Sequence, residues 1–233
     1  MILPVTFTCL THLLFGLNNP DIADLAKESF SRKMPGIKKL IATSPDNKGA
    51  SFELESALLV GQAHEIAEGF DLAIIFEDNQ ALIFTDYETP PVLLKSTEFD
   101  LITKRFAFEC KGGCSIHEVK CLEQLLKEQL MLDWMKKLAQ ELDNGTLSIG
   151  LKRHTAATTF LTLKSPSTFY RPISLAISWI GTKEESLCIK QLVKIIKMLA
   201  TKNLLAFFRT PIPHAFKLRL EQHAIDYVDD VSL

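Results

Sequence analysis

Residues 98–113, EFDLITKRFAFECKGG, place acidic and basic side chains inside two short apolar runs. Side chains alternate along a β-strand, so Glu109 and Lys111 share one face of the second run. A two-residue turn between the runs would set Asp100 directly opposite Glu109, with Cβ atoms about 4.5–5.5 Å apart. Two carboxylates at that distance repel unless one is protonated or a cation lies between them. A hard divalent cation with oxygen ligands fits this arrangement best.

A solvated, half-exposed strand is the alternative interpretation of the same residues, because an acid-x-Lys triplet is common in proteins. Three features of the context favour chemistry. The aspartate precedes the triplet by a few residues, both runs are otherwise apolar, and Gly112-Gly113 ends the second run.

The arrangement resembles the motif of the PD-(D/E)xK phosphodiesterase superfamily, the restriction-endonuclease-like nucleases. That motif is an aspartate at the end of one strand and acid-x-Lys on the next strand. Asp100 matches the first element and Glu109-Cys110-Lys111 matches the second. Many members add a glutamate on the helix before the sheet, which Glu53 supplies after an aromatic residue, with Glu55 as the alternative. Phe99 stands where the family often has proline.

This resemblance implies a metal-dependent endonuclease that hydrolyses phosphodiester bonds, with DNA favoured over RNA and the choice between them left open. It implies Mg²⁺ (or Mn²⁺) held by Asp100, Glu109 and the backbone carbonyl of Cys110. Glu53 would bind a second ion or position water. Lys111 would orient or activate the attacking water and stabilise charge on the phosphate. The ion would lower the pKa of a bound water and neutralise the scissile phosphate.

The later part of the chain, residues 190–229, resembles the helix–strand closure of the same fold in small nucleases. Many of those nucleases place a glutamine at the start of the closing helix, which is Gln191 here. If the predicted helix 115–143 is the core helix instead, Gln124 takes that role.

The predicted nucleic-acid surface is a stretch without acidic residues, from Asn144 to Lys183. Basic and aromatic side chains interleave there, a combination that suits phosphate contact and base stacking. Lysines at helical spacing in the closing helix form a second basic stripe. The alternative for both is a solvated basic face. The residues predicted to bind nucleic acid are Lys152, Arg153, Lys164, Arg171, Gln191, Lys190 and Lys194.

The elements that must position these residues follow from turn and periodicity signals. A helix over 49–62 precedes strand patterns at 70–76, 80–84, 91–103 and 105–111, and neighbouring strands favour antiparallel pairing. Helix–strand units after residue 182 favour parallel additions to the same sheet. The sequence predicts an α/β fold with a restriction-endonuclease-like core, a mixed central sheet flanked by helices and a helix-plus-strands insertion.

The domain prediction follows the same signals. Residues 1–43 form an N-terminal helical segment. Residues 44–233 form a single nuclease-like domain with an insertion at 112–182.

Bulk composition restricts the function classes. The chain is 47% hydrophobic and 23% charged with a formal net charge of −2, which is typical of a globular protein. A strongly basic polyanion-binding protein is excluded, so nucleic-acid contact must come from local patches. The five cysteines are an odd number, which favours reduced thiols in a reducing, cytoplasmic compartment.

The sequence disfavours both a zinc site and an N-terminal export signal. A zinc site of Cys110, Cys114, Cys121 and His117 lacks paired CxxC spacing. The apolar segment 1–20 has no basic residue before its apolar run and no small-x-small cleavage site, which favours a buried segment over an export signal. It is also too short and too broken to span a membrane.

Two further function classes stay open. One is a catalytically inactive nuclease fold that serves as a binding or assembly module, although all motif positions are filled. The other is an unrelated α/β small-molecule domain, although no G-x-G-x-x-G motif or P-loop is present. Nucleic acid is the expected partner, no membrane contact is expected, and the sequence leaves a homodimer open.

Overall fold

The computed structural model describes residues 34–37, 40, 47–62, 65, 67–84, 90–112, 117–155 and 158–231. The helices are α1 (Lys48–Gln62), α2 (Glu118–Asp143), α3 (Glu185–Leu199) and α4 (His214–Gln222). The strands are β1 (Ala67–Phe76), β2 (Gln80–Ile83), β3 (Val92–Lys95), β4 (Thr97–Thr103), β5 (Phe106–Lys111), β6 (Ser148–His154), β7 (Thr159–Lys164), β8 (Ile173–Ile177), β9 (Asn203–Phe208) and β10 (Asp226–Val228).

Eight of these strands form one sheet in the order β10-β9-β5-β4-β1-β8-β7-β6, and β2 with β3 forms a separate two-stranded sheet. The large sheet is mixed, because β9 and β10 pair in parallel whereas β4 and β5 pair antiparallel. The predicted α/β class with a mixed sheet and flanking helices is therefore confirmed.

The chain divides into two compact units. The first comprises the described residues within 1–71, 100–122 and 204–233, and the second comprises those within 72–99 and 123–203. Both units draw on segments that are distant in sequence. The predicted insertion, 112–182, accordingly contributes residues to both units.

In the first unit, α1 begins where the sequence predicts. The Asn47 side chain accepts hydrogen bonds from the backbone N–H groups of Gly49 at 2.9 Å and Ala50 at 3.4 Å. These bonds satisfy two donors that the first turn of a helix leaves unpaired. One face of α1 packs Phe52 against Phe207 of β9, with ring centroids 6.1 Å apart. The aromatic packing fixes α1 next to the strands of this unit.

The closing part of the first unit is β9, α4 and β10. Strands β9 and β10 pair in parallel, with Leu205 opposite Asp226. This confirms the prediction that the closing helix–strand unit adds a parallel strand. Pro213 is the residue that caps α4.

In the second unit, neighbouring strands are antiparallel throughout. Strand β1 pairs with β8, β8 with β7, and β7 with β6. Helix α2 covers this region with Trp134, which is fully buried and lies 5.6 Å from Phe76. The strand patterns predicted after residue 146 are confirmed here.

Two local predictions are wrong. The single strand predicted over 91–103 is broken at Ser96, whose hydroxyl accepts a hydrogen bond from Phe76 N–H at 2.9 Å. Strand β3 on one side of this break pairs with β2, whereas β4 on the other side joins the large sheet. The residue types of 182–185, Thr-Lys-Glu-Glu, also predict a capping box with Thr182 as the cap, but Glu184 is the capping residue of α3.

Several predictions concern residues outside the described part of the chain. These include most of the predicted segment 1–43, the apolar start at 1–20, and two of the cysteines, Cys9 and Cys114. The three described cysteines, Cys110, Cys121 and Cys188, are buried free thiols. No helix in the described part combines the length and apolarity needed to cross a membrane.

Candidate active site

The β4–β5 hairpin brings the two acidic motif residues together. Leu101 pairs with Phe108 and Ile102 with Ala107, so the same register continues to Asp100 opposite Glu109. Residues 104 and 105 form the turn between the strands. The hairpin register predicted from the sequence is therefore confirmed.

A backbone contact fixes the Asp100 carboxylate. The N–H of Cys110 donates a hydrogen bond to Asp100 Oδ2 at 2.6 Å. Because β5 supplies this donor, the aspartate side chain turns toward β5 and the residue that follows Glu109. The motif thus uses its own backbone to orient one of its acids.

Glu109 lies in the interior, with 1% of its surface exposed. Its Oε1 forms an ion pair with Nζ of Lys111 two residues later on the same strand. Its Oε2 is buried and has no hydrogen-bond partner among the described residues. A buried carboxylate oxygen without a partner is costly. The alternative of a half-exposed surface strand is therefore wrong for Glu109.

Glu53 borders the same site from α1. Its negative charge contributes to raising the pKa of both Asp100 and the Cys110 thiol. Glu55, the alternative position on the same helix, instead forms an ion pair with Arg209 and accepts a hydrogen bond from the Ser51 hydroxyl. Of the two candidates, Glu53 is the one whose charge acts on Asp100.

The pKa of Asp100 reflects its burial and the acidic side chains around it. Burial raises the pKa of the Asp100 carboxyl well above its usual range, and the charges of Glu109 and Glu53 raise it further. The Cys110 N–H bond and the Lys111 charge oppose this shift without cancelling it. Three acidic groups therefore share a site with one ammonium, and proton or cation binding would relieve their repulsion.

The pKa of Lys111 is raised as well. Burial alone would lower the pKa of the Lys111 amine, but the charge and hydrogen bond of Glu109, together with the charges of Asp100 and Cys121, raise the pKa overall. Lys111 is therefore an ammonium at neutral pH. In this state it is a cation and a proton donor, and it has no lone pair with which to act as a base.

The surroundings of the Cys110 side chain disfavour a chemical role for its thiol. Burial raises the pKa of its thiol well above the usual range, and the charges of Asp100 and Glu53 add to the effect. A thiol held in the protonated state is a poor nucleophile and a poor metal ligand. The residue's predicted contribution to a metal is its backbone carbonyl, which the thiol pKa does not affect.

The donor chemistry of the site fits a hard divalent cation. The carboxylates of Asp100, Glu109 and Glu53 would offer oxygen atoms, the ligand type that hard divalent cations prefer, and Glu109 Oε2 has no hydrogen-bond partner among the described residues. No group of three or more His, Cys, Asp or Glu in the described ranges has its side chains arranged to hold a metal ion. The set implied by the motif needs only two carboxylates and one backbone carbonyl, which this finding leaves available.

Arg209 is a site neighbour that sequence reasoning missed. Its backbone N–H donates to the carbonyl of Lys111 at 3.0 Å, which places it beside the end of β5. Its guanidinium pairs with Glu55 and lies 5.0 Å from the centroid of the Phe52 ring. It follows β9, far from the motif in sequence. An arginine directly after a buried apolar strand is the signal that could have drawn attention to it.

Two of the residues predicted to bind nucleic acid share an acidic partner that the sequence did not reveal. In the second unit, Lys152 and Arg153 both form ion pairs with Glu77, and Arg153 also lies 5.2 Å from the Phe160 ring centroid. The hydrogen bond from Lys152 lowers the pKa of Glu77. The stretch free of acids in sequence is thus partly neutralised in space by the turn after β1.

The other predicted contact residues also belong to the second unit. Lys190, Gln191 and Lys194 are exposed on α3, and Lys164 is exposed at the end of β7. Lys197, from the same helical stripe, pairs with Asp143 at 2.8 Å. Arg171 lines a cavity, and Gln124 is partly exposed on α2. The structure therefore brings Asp100, Glu109, Lys111 and Glu53 together in the first unit and places every predicted nucleic-acid contact in the second.

Comparisons with protein-family models, with curated proteins and with solved structures find no match to this chain. Functional assignment therefore depends on the geometry of the hairpin and on the resemblance of its motif.

Proposed function

We propose that the protein is a Mg²⁺-dependent (or Mn²⁺-dependent) nuclease with a restriction-endonuclease-like core that hydrolyses phosphodiester bonds, in DNA in preference to RNA. The observation that carries this proposal is the buried Glu109 carboxylate, paired with Lys111 and set opposite Asp100 in the hairpin register. A fold gains no stability from crowding acids in its interior, and such local conflict is typical of functional sites.

Each residue has a role that follows from its surroundings. Asp100, Glu109 and the Cys110 carbonyl would hold the divalent ion, which when bound lowers the pKa of water and neutralises phosphate charge. The Lys111 ammonium would orient the attacking water and stabilise negative charge as it develops on the phosphate oxygens. Glu53 would position a second water or ion from α1.

The two rival function classes make different demands on the site. An unrelated small-molecule domain would have the four residues scattered in surface ion pairs, and their convergence around the hairpin counts against it. An inactive binding module would retain the same arrangement of acids without turnover. Only an activity measurement separates this second rival from the nuclease.

The test is a cleavage assay on plasmid, linear duplex, single-stranded DNA and RNA, with Mg²⁺, with Mn²⁺ and with EDTA. We expect cleavage only with the divalent ion and its loss in Asp100→Asn and Glu109→Gln. Glu98→Gln is the matched control, because Glu98 is an exposed acid on the same strand as Asp100. Cleavage that survives in Asp100→Asn or persists in EDTA contradicts the proposal. Binding without cleavage of any substrate favours the inactive module.

A further inference from the structure

The segment between β7 and β8, residues 165–171, forms a loop held by a buried polar network. The Ser167 N–H and hydroxyl both donate to the Glu141 carboxylate, each at 2.8 Å. The Ser167 hydroxyl also accepts a hydrogen bond from Trp134 Nε1 at 3.3 Å. Glu141, Ser167 and Trp134 are each at least nine-tenths buried. A charged carboxylate in the interior therefore anchors this loop to α2 with bonds stronger than those between neutral groups.

Further hydrogen bonds hold the rest of the loop in place. Since the single Ser167 hydroxyl proton goes to Glu141, the Ser165 hydroxyl is the donor in its 3.0 Å contact with Ser167. The Ser167 carbonyl accepts the N–H of Phe84 at 2.9 Å, which ties the loop to the end of β2. The loop backbone is thus fixed from two sides before any ligand arrives.

Two aromatic residues of this loop have a strained backbone conformation. Phe169 and Tyr170 have φ values of +56° and +55°, in the left-handed region that bulky side chains rarely adopt. Despite their size, both aromatic side chains are exposed, Tyr170 by 67%. Strain that persists at exposed aromatic residues is a mark of functional loops.

A cavity of about 450 Å³ opens beside the loop, lined by Leu82, Thr168, Phe169, Arg171 and Ile173. This volume lies in the range typical of small-ligand pockets. Phe169 packs against Phe84 with ring centroids 4.0 Å apart, so its ring is held in place at the cavity wall. Arg171 has no ion-pair partner among the described residues, and its charge is available to a ligand.

We propose that this cavity binds one unpaired base of a nucleic-acid strand, stacked on Phe169, with an adjacent phosphate held by Arg171. The proposal rests on the proposed function only in taking nucleic acid as the ligand. It narrows the substrate class to strands with an unpaired or extruded base, such as single strands, bulges and ends. A fixed ring face, aliphatic walls and an unpaired guanidinium match the flat apolar base and the anionic phosphate of a nucleotide.

The test uses a fluorescein-labelled DNA hairpin with one bulged thymine, an identical hairpin with an abasic bulge, and a fully paired hairpin. Binding is measured by anisotropy in EDTA, so that no cleavage takes place. We expect the thymine bulge to bind about tenfold more tightly than the abasic bulge. Phe169→Leu, which retains apolar packing on Phe84, and Arg171→Gln should each remove most of this preference. Lys95→Gln is the control for Arg171→Gln, because Lys95 is exposed on β3 and lies outside both the cavity lining and the predicted nucleic-acid surface.

A second readout reports stacking directly. With 2-aminopurine at the bulge, wild-type protein should quench its fluorescence and Phe169→Leu should restore it. Equal affinity for thymine and abasic bulges, or quenching that survives in Phe169→Leu, overturns this inference while leaving the nuclease proposal intact. Base-dependent binding by a protein that cleaves no substrate supports the inference and contradicts the nuclease. The absence of any binding overturns this inference, whereas the nuclease proposal is then decided by the cleavage assay alone.

Discussion

The buried charge of Glu109 makes the stability of the motif depend on Lys111. Its carboxylate is almost fully removed from water, and the cation that balances it, Lys111, is only partly buried. Removing one member of a buried ion pair leaves the other charge uncompensated, at a typical cost of about 3–5 kcal/mol. Variants at Lys111 therefore need a stability control, and a substitution that keeps a hydrogen-bond donor is preferable to truncation.

Asp100→Asn should leave the metal-free protein at least as stable as wild type at neutral pH. The pKa of Asp100 is raised in the folded state, so the folded state keeps a proton that the unfolded state has already lost. The free energy of unfolding therefore falls as pH rises from the unfolded carboxyl pKa, about 3.9, through the raised folded value. The asparagine variant lacks this contribution.

Thermal unfolding of both proteins in EDTA from pH 4 to 8 measures the effect. The wild-type Tm should decline relative to that of Asp100→Asn over this interval. A large loss of Tm in the variant at neutral pH would instead mark Asp100 as a structural residue.

Arg209 and Glu55 should act as one energetic unit. Their ion pair fixes the end of β9 to α1, the helix that carries Glu53. Because both side chains are partly exposed, we expect Arg209→Gln and Glu55→Gln each to lower the free energy of unfolding by about 1 kcal/mol or less. A double-mutant cycle read by urea denaturation should show that the double variant loses less than the sum. Strictly additive losses would show that the pair does not couple the two elements.

The core of the site could be predicted from sequence because its residues are close along one hairpin. Strand alternation and the turn fixed the relation of Asp100 to Glu109 without tertiary information. Arg209 could not be placed in this way, since its partner Glu55 lies 154 positions earlier and only the folded packing of α1 on β9 joins them. The acid-x-Lys triplet alone did not determine the burial of Glu109, because such triplets are also common on solvated strands.

At the scale of elements, the entry into β1 depends on a glycine. Gly36 has φ +80°, and a Cβ added there would lie 2.0 Å from the carbonyl oxygen of Phe70. The neighbouring Pro35 carbonyl accepts the Phe70 N–H at 2.9 Å. The chain can make this contact only because residue 36 has no side chain and tolerates a positive φ.

Gly36→Ala should therefore destabilise the protein by more than about 1 kcal/mol, since strain and backbone overlap add. Gly61→Ala is the matched control, because a Cβ there meets no atom within 4 Å. Gly61 is exposed within α1, so its substitution should stabilise the protein by up to about 1 kcal/mol. Chemical denaturation of the two variants checks both signs. Equal free energies of unfolding for Gly36→Ala and wild type would contradict the described contact.

Helices and most strands were predictable because apolar periodicity and capping residues report local structure. The break at Ser96 was not, because residues 91–103 form one continuous strand-like pattern. What divides this run is the choice of partner: β3 pairs with β2 and β4 pairs in the large sheet. Pairing partners are set by tertiary packing, which the pattern of a single run does not encode.

At the scale of the whole molecule, the basic residues of the second unit differ in whether they form an ion pair with an acidic side chain. Lys152 and Arg153 share Glu77, whereas Lys190 and Lys194 stand exposed on α3 without an ion-pair partner among the described residues. An ion pair must be disrupted before its cations can neutralise phosphate. The α3 lysines are therefore the more available contacts.

Glu77→Gln should accordingly raise nucleic-acid affinity and steepen its salt dependence, because it releases two cations. Charge reversal of Lys152 and Arg153 should lower affinity and flatten the salt dependence. The double substitution Lys190→Gln and Lys194→Gln should reduce the slope of log K against log salt by up to about 2. Anisotropy titrations between 50 and 300 mM salt measure these slopes. Unchanged affinity and slope in Glu77→Gln would contradict phosphate contact by Lys152 and Arg153.

The most direct test of the account is cleavage by Lys111 variants under conditions where binding is measured in parallel. With Mg²⁺, Lys111→Ala and Lys111→Gln should lose phosphodiester cleavage, because an ammonium beside the phosphate acts mainly on charge that develops in the transition state. Both should bind DNA within a few-fold of wild type, and the Tm of Lys111→Gln verifies that the fold is intact. Cleavage by folded Lys111→Gln at the wild-type rate would contradict the central claim that this hairpin is a catalytic site.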